Sequence, residues 1–270
     1  MAYDKYQHFV LEKKLANELR QSTLQDRRIL YKRVYNDLFT TYPEVTHGVD
    51  ATPEARMNWQ LKLLKRLFDK NKILMEIGAG DCLLSKELAK HYKKIVAYEV
   101  ADSIPFVEGK PDNFELKIFN GFDMTEPAGA YDIIYSNQVF EHLHPDDTIP
   151  LLRAYHTFLK NDGKLVIVTP HKLTGPHDIS RDFCENAEGF HLKEYTYKEM
   201  RAQLKATGYH RIKGYIGYSK LGYIGLNISF MIFIENMYKG CPSFLKKKLK
   251  HSSLLFNLFG LKIIAEKKNA

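Results

Sequence analysis

Ile73-Leu74-Met75-Glu76-Ile77-Gly78-Ala79-Gly80-Asp81-Cys82 decides how this chain folds. An apolar run closes on an acidic residue and a small-residue turn, and helical patterning starts at Leu83. A strand, a glycine-rich turn and a helix N-terminus in succession make the nucleotide-binding corner of a doubly wound α/β sheet. Twenty-one residues beyond Gly78, a second apolar run, Lys94-Ile95-Val96-Ala97-Tyr98, ends in Glu99. A carboxylate at that place accepts hydrogen bonds from ribose hydroxyls. A dinucleotide fingerprint needs Gly-x-Gly-x-x-Gly so that the backbone can approach a pyrophosphate. Here the sixth position is Leu83, and Glu76 would oppose a phosphate with like charge. The pattern therefore favours a cationic nucleoside ligand without phosphates. S-adenosylmethionine, with its sulfonium and ammonium groups, has that chemistry.

Outward from this corner, the chain alternates regularly. Strands are expected over 72–78, 94–99, 114–119, 131–136 and 164–169, with helices over 83–92 and about 146–159. A helix over 197–206 and strands over 211–218 and 261–266 follow. Alternating βα units imply a mostly parallel sheet covered on both faces. Residues 1–70 carry helical spacing only: Phe9, Leu11, Leu15 and Leu19, then Leu30, Val34, Leu38 and Phe39, then Trp59, Leu63, Leu64 and Leu67. The expected organisation is a helical segment over 1–70, serving as a lid or as a dimer surface, before an α/β domain over 71–270. A helical insertion is expected at about 219–259.

The 270 residues suffice for one large α/β unit, and the net charge of +8 reads as a lysine-rich solvated surface. Cys82, Cys184 and Cys241 show no disulfide framework or zinc spacing. The polar start at Tyr3–Gln7 lacks a signal-peptide apolar region, and no stretch approaches the roughly 18 apolar residues that span a bilayer. A cytoplasmic location is expected.

Four segments together resemble the class I S-adenosylmethionine-dependent methyltransferases, over roughly 72–268. They are Glu76-Ile77-Gly78-Ala79-Gly80, Glu99 at the end of strand two, Tyr131 to Leu143 with its Glu141-His142-Leu143 ending, and Leu159 to Pro170 around Asn161-Asp162-Gly163. The resemblance implies a Rossmann-like, doubly wound sheet of seven strands with an antiparallel last strand. In place of a third small residue in the glycine turn stand Asp81 and Cys82. The loop after strand five resembles the Gly-Pro-His-Asp and Gly-Phe-His-Leu stretches of a bacterial subgroup.

For S-adenosylmethionine, the resemblance implies Glu76 at the ammonium, Gly78, Ala79 and Gly80 under the methionine portion, and Glu99 with Val100 at the ribose. Adenine falls to Asn120 or Asp123, with Gly121 and Phe122, and Ser136 and Asn137 reach the methionine end. His142 stands beside the methyl-donor position as base or substrate ligand, or as a residue that only shapes the pocket. His171 and His177, with Asp178, are substrate ligands or a second base; no metal is expected. The alternative for His177 and His191 is to fasten the loop. A hydroxyl acceptor benefits from a base titrating near neutrality, which histidine supplies. The expectation is methylation of a small molecule, at a hydroxyl or carboxylate oxygen of a secondary metabolite or sugar. Nucleic acid is disfavoured: Ser136-Asn137-Gln138-Val139 stands where a DNA amine methyltransferase carries Asn/Asp-Pro-Pro-aromatic. An RNA or protein substrate also stays open, the basic charge suiting an RNA backbone, and so do two further readings. One is a non-catalytic cofactor-binding scaffold. The other is a membrane-associated lipid or quinone methyltransferase using the apolar and Lys246-Lys247-Lys248-rich part of the insertion. The oligomeric state is open.

Overall fold

The computed structural model describes residues 3–43, 52–103, 109–218, 222–244, 246 and 259–268. Helices α1 (Lys5–Gln21) and α2 (Leu24–Thr41) start where side chains satisfy the first free amides. Asp4 accepts from Tyr6 and Gln7, and Thr23 with Asp26 forms a reciprocal capping box. Helix α3 (Pro53–Leu64) starts with the Thr52 hydroxyl on the Ala55 amide and proline at its first turn.

The sheet follows as β1 (Asp69–Ile77), α4 (Leu83–Ala89), β2 (Tyr92–Glu99), β3 (Phe114–Ile118), β4 (Tyr131–Asn137), α5 (Thr148–Phe158), β5 (Leu159–Thr169), α6 (Tyr197–Ala206), β6 (Tyr209–Tyr218), β7 (Gly222–Asn227), α7 (Ile228–Gly240) and β8 (Leu261–Lys267). Spatial order is β3-β2-β1-β4-β5-β8-β6-β7. The first five strands are parallel, and β8 runs antiparallel between β5 and β6. The chain winds outward from β1 through β2 and β3, then reverses through β4. The switch point therefore lies between β1 and β4, where open α/β sheets bind ligands beyond their carboxyl ends.

Alternation along the strands divides the core in two. Met75, Ile77, Ile134 and Ile167 face the layer of α1, α2, α5 and α6, whereas Leu74, Ile133, Tyr135 and Val166 face α3 and α4. Burial on both faces explains why these strands read as continuous apolar runs.

Among the described residues the sheet has eight strands, one more than expected, and the segment after β6 does not open as a helix. Residues Gly222–Asn227 pair antiparallel with β6 instead. Glycines make room for this pairing. A Cβ on Gly225 would lie 2.8 Å from the Tyr215 ring, and one on Gly217 would lie 2.9 Å from Tyr223. The added strand also covers the β6 backbone edge. Helix α7 comes after it, and Lys247 and Lys248 of the basic run lie outside the described residues.

One buried network fastens α2 to the turn between β4 and α5. Arg27 Nε and Nη2 donate to the two Asp147 carboxylate oxygens at 2.7 and 2.8 Å, and the Tyr31 hydroxyl donates to Asp147 at 2.9 Å. The same Tyr31 oxygen accepts the His144 amide at 2.6 Å. Helix α2 thereby becomes a fixed wall beside the carboxyl ends of β1 and β4.

Candidate functional site

At the end of β1, Gly78 takes φ of +73°, and a Cβ there would meet Val139 Cγ2 at 2.5 Å. Both the left-handed backbone and the close approach require glycine. The amides of Gly78 and Ala79 donate to the Tyr98 carbonyl at 2.9 and 3.2 Å, which closes the turn against β2. Asp81 and Cys82 leave this turn intact. The Asp81 carboxylate accepts the Leu83 amide at 2.9 Å at the start of α4, and Cys82 itself holds φ of +64°.

The two carboxylates of the corner are both buried. Glu76 accepts a short hydrogen bond from Ser85 Oγ. Burial pushes its carboxyl up to about 8, with Ser85 opposing and Asp81 and Glu99 adding to the rise. Glu99 accepts the Gly80 amide on one oxygen at 2.7 Å, and those of Val100 and Ala101 on the other at 2.8 and 3.1 Å. Burial raises its pKa, and these three amides restrain the rise.

Two cavities meet here. The smaller, about 180 Å³, is lined by Gly78, Gly80, Glu99, Val100, Phe119, Gly121 and the α2 side chains Tyr31, Tyr35 and Phe39. The larger, about 480 Å³, takes in Glu76, Ala79, Asn137, Arg56 and Gln60 of α3, and the histidines His142, His177 and His191. Six residues line both: Tyr35, Phe39, Gly78, Gly80, Gln138 and His142. Gln138 sits at the junction with φ of +54°, its amide held by the Val168 carbonyl at 2.8 Å.

His142 stands on the shared wall with its side chain 24 % exposed. Its Nδ1 lies 3.0 Å from the Phe190 carbonyl. A carbonyl only accepts, so Nδ1 carries the proton and Nε2 keeps its lone pair. Burial, and then His191, push the His142 pKa down to about 3. Behind it lies Glu141, fully buried. One oxygen accepts from Thr169 Oγ1 at 2.7 Å, and the other, Oε1, has no hydrogen-bond partner among the described residues. Burial pushes this carboxyl up to about 7, against the pull of His191. His191 Nδ1 lies 2.8 Å from Glu194 Oε1. Burial alone would lower the His191 pKa; the Glu194 hydrogen bond and the charges of Glu141, Asp178 and Glu194 raise it.

Several residues expected at the ligand lie elsewhere. Asn120 forms a local turn, its Oδ1 accepting the Phe122 and Asp123 amides at 3.0 and 2.9 Å. Asp123 pairs with Arg28 in an exposed contact, and Phe122 packs on Tyr31 at 5.4 Å between centroids. Of that group only Gly121 lines the smaller cavity. Ser136 is fully buried inside β4, so it lines neither cavity, whereas Asn137 lines the larger. His171 is sealed. Its Nδ1 accepts the Leu173 amide at 3.1 Å, and its Nε2 faces Glu235 at 3.3 Å. It ties α7 to the chain before α6 and lines neither cavity, so it is out of reach as a base or substrate ligand. His177 does line the larger cavity, held by Thr174 Oγ1 at 2.9 Å on its Nε2. No residue of the late insertion lines either cavity among the described residues.

Tyr35, Phe39, Gln60 and Gln138 went unread in the sequence as site residues. Phe39 looked like one more member of a core stripe, and Gln138 carries no signature for its backbone conformation.

A family model described as a methyltransferase domain matches residues 54–213, more than half of the chain. The chain belongs to that family. The match takes in both cavities' sheet-side walls and leaves α1 and α2 outside. An uncharacterized methyltransferase of Staphylococcus carnosus is 24 % identical over 134 residues, about half of this chain and 56 % of that protein. A S-adenosylmethionine-dependent methyltransferase of Archaeoglobus fulgidus superposes with a TM-score of 0.58 at 19 % identity, over 84 % of this chain and 99 % of its own. Phosphoethanolamine N-methyltransferase 1 of Haemonchus contortus, solved with phosphoethanolamine and S-adenosylhomocysteine, gives 0.58 at 16 % identity over 92 % of this chain and 50 % of its own. The fold is thus that of the class I S-adenosylmethionine-dependent methyltransferases.

Proposed function

We propose that the protein transfers a methyl group from S-adenosylmethionine to an oxygen, hydroxyl or carboxylate, of a small molecule such as a secondary metabolite or sugar. One observation carries this reading: the two cavities share a wall containing Gly78, Gly80 and His142.

The residues present fit the cofactor. Glu76 offers a buried carboxylate to an ammonium, and on the same side Asn137 Oδ1 is buried without a hydrogen-bond partner among the described residues. Glu99 Oε2 accepts only the Gly80 amide among its hydrogen bonds here, which leaves a lone pair for a ribose hydroxyl. The left-handed Gly78 and Gly80 let the ligand approach the backbone. The aromatic α2 wall gives the smaller cavity an apolar side suited to a base. When bound, the cofactor supplies a methyl electrophile on a sulfonium.

The chain's own residues hold the acceptor and manage its proton. Positioning at near-attack distance supplies most of the acceleration in such a displacement. His142 Nε2, its lone pair left free by the Nδ1 contact to Phe190, is the candidate acceptor for the hydroxyl proton, and its lowered pKa makes it a weak base, so positioning rather than basicity carries the reaction. The larger cavity exceeds what the methionine end of a cofactor fills, and its remaining lining sets Glu12, His177 and Asp178 among Met57, Ile179 and Phe190. That lining suits an acceptor with several hydroxyls.

The test is calorimetric titration with S-adenosylhomocysteine, NAD serving as control, followed by labelled-methyl transfer to a panel of phenols, sugars and carboxylic acids. Micromolar binding of S-adenosylhomocysteine alone, with label on oxygen, is expected. Tight binding with no transfer to any acceptor, and a stable protein partner in pull-downs, would instead give the scaffold reading.

A second reading concerns location. Helix α7 leaves Phe230, Phe233 and Met237 exposed on one side, and Phe244 is exposed beyond it. With the lysines that follow in sequence, such a face suits an anionic membrane surface. No described helix is long and apolar enough to cross a membrane. Co-sedimentation with phosphatidylserine vesicles, weakened by Phe230→Ser with Phe233→Ser, tests it; failure of the parent protein to sediment removes it.

A further inference from the structure

We infer that Glu141, His142 and His191 form a binding site for one divalent first-row transition-metal cation in the wall of the larger cavity. One ligand atom from each lies within 4.8 Å of the other two, and His142 Nε2 is 4.0 Å from Glu141 Oε1. A cation bound at about 2.1 Å needs ligand separations near 3 to 3.5 Å, so small side-chain rotations complete the site.

Three independent features distinguish this cluster from a chance grouping. Glu141 Oε1 is a carboxylate oxygen with no hydrogen-bond partner among the described residues, on a side chain that is fully buried. Leaving such an atom unpaired is expensive, and a cation at the cluster centre would satisfy it. Each histidine, next, has its far nitrogen engaged by an acceptor, Phe190 O at 3.0 Å for His142 and Glu194 Oε1 at 2.8 Å for His191. With Nδ1 of each ring donating to its acceptor, the neutral rings carry Nε2 lone pairs free to ligate, the arrangement that orients metal-bound imidazoles elsewhere. Finally, the ligating residues are braced from outside the cluster. Thr169 Oγ1 holds Glu141 Oε2 at 2.7 Å, the His177 amide holds Glu194 at 2.7 Å, and the Lys193 amide bonds the Glu141 carbonyl at 3.1 Å. Two imidazoles and one carboxylate suit zinc, iron, cobalt or manganese better than magnesium or calcium, which prefer all-oxygen shells.

Placement gives the cation a use. His142 and His191 both line the larger cavity, and Glu141 lies behind them. Coordination positions on the cavity side stay open to an acceptor oxygen, which a cation would hold and acidify. This use rests on the methyl-transfer reading and refines it, since His142 would then meet the acceptor oxygen through the cation rather than directly. The site itself does not depend on that reading.

The experiment titrates metal-stripped protein with Co2+, followed by its visible absorbance, and with Zn2+, followed by calorimetry, without cofactor or acceptor. One site per chain with micromolar or tighter affinity is expected. Glu141→Gln and His191→Ala should each weaken it at least 100-fold, and Glu194→Gln about 10- to 100-fold, as loss of an orienting partner does. Histidine side-chain nitrogen NMR of the parent protein needs no variant. Zn2+ should shift Nε2 of two rings while both keep their Nδ1 proton. No stoichiometric binding, or binding indifferent to all three substitutions, overturns the proposal. So does a His191 ring protonated on both nitrogens with Zn2+ present, for then an imidazolium between Glu141 and Glu194 satisfies the cluster. S-adenosylhomocysteine titration of the same samples separates the two readings. Cofactor binding without cation binding sinks this site alone; cation binding without cofactor binding sinks methyl transfer alone.

Discussion

The glycine corner and the histidine wall are neighbours in space and opposites in construction. The corner is made from short runs, Glu76 to Gly80 and Glu99 to Ala101, held mainly by backbone amides. The wall draws Glu12, Glu141 with His142, His177 with Asp178, and Phe190 to Glu194 from four separate stretches, held by side chains. Backbone geometry fixes where a cofactor lies, and side-chain chemistry fixes what it meets. The two regions should therefore respond to substitution separately, except at their common wall.

That common wall should give the largest effect. Helix α2 lines both cavities and is fastened through the buried Arg27–Asp147 pair. Asp147→Ala leaves the guanidinium and the Tyr31 hydroxyl without their partner, which typically costs about 3–5 kcal/mol. Urea unfolding should show that loss, with S-adenosylhomocysteine affinity falling alongside it. A loss under about 1 kcal/mol would mean that α2 is held by its apolar face instead.

Next comes Gly78→Ala. The methyl overlaps Val139 and forces alanine to φ of +73°, which should cost about 3 kcal/mol of folding stability, and displacement of the turn to relieve it should weaken the S-adenosylhomocysteine Kd about tenfold or more. Glu141→Gln, on the far side, should leave that Kd within about threefold. Equal losses from both would break the separation.

Glu76 links the corner to pH. In the unfolded chain it loses its proton near 4.5, whereas in the folded protein burial holds the proton until about pH 8. Between those values the folded state binds more protons, so the stability contribution of this group is full below 4.5 and is lost as pH rises toward 8. Glu76→Gln removes the titration. The variant should therefore melt higher than the parent at pH 9, by about 2–4 °C per kcal/mol, with the difference shrinking by pH 5. Its S-adenosylhomocysteine affinity should fall about tenfold or more through loss of a charged hydrogen bond. A variant no more stable at pH 9 would mean that Glu76 is already ionised and solvated in the free protein.

What could be read beforehand follows the same division. The five parallel strands and the Glu76, Gly78 and Glu99 corner were legible because period, length and turn residues are local properties of the chain. The eighth strand was not. Its pairing depends on Gly217 and Gly225 accepting tyrosine rings from the opposite strand, and no local window carries that complementarity. Adenine-side expectations stopped at the β3 boundary, where Asn120 spends its oxygen on its own turn. The loop histidines looked alike in sequence, yet His171 is sealed against Glu235 while His177 reaches the cavity. Burial, which separates them, is decided by α7 some sixty residues later.

The smallest effect should come at the boundary of the corner, where two adjacent residues end β4. Among the described residues, Ser136 and Asn137 each carry a buried oxygen without a hydrogen-bond partner, but of the two Asn137 alone lines a cavity. An unpaired hydroxyl inside a strand contributes nothing that alanine lacks, so Ser136→Ala should leave unfolding free energy unchanged or raise it by up to about 1 kcal/mol. Its S-adenosylhomocysteine Kd should stay within about twofold, whereas Asn137→Ala removes an unpaired acceptor from the cavity lining and should weaken binding about tenfold. Calorimetry on the pair decides where the ligand stops. A tenfold loss for Ser136→Ala would mean that bound cofactor draws its hydroxyl out of the sheet interior, and the larger cavity would then extend one residue deeper than its lining shows.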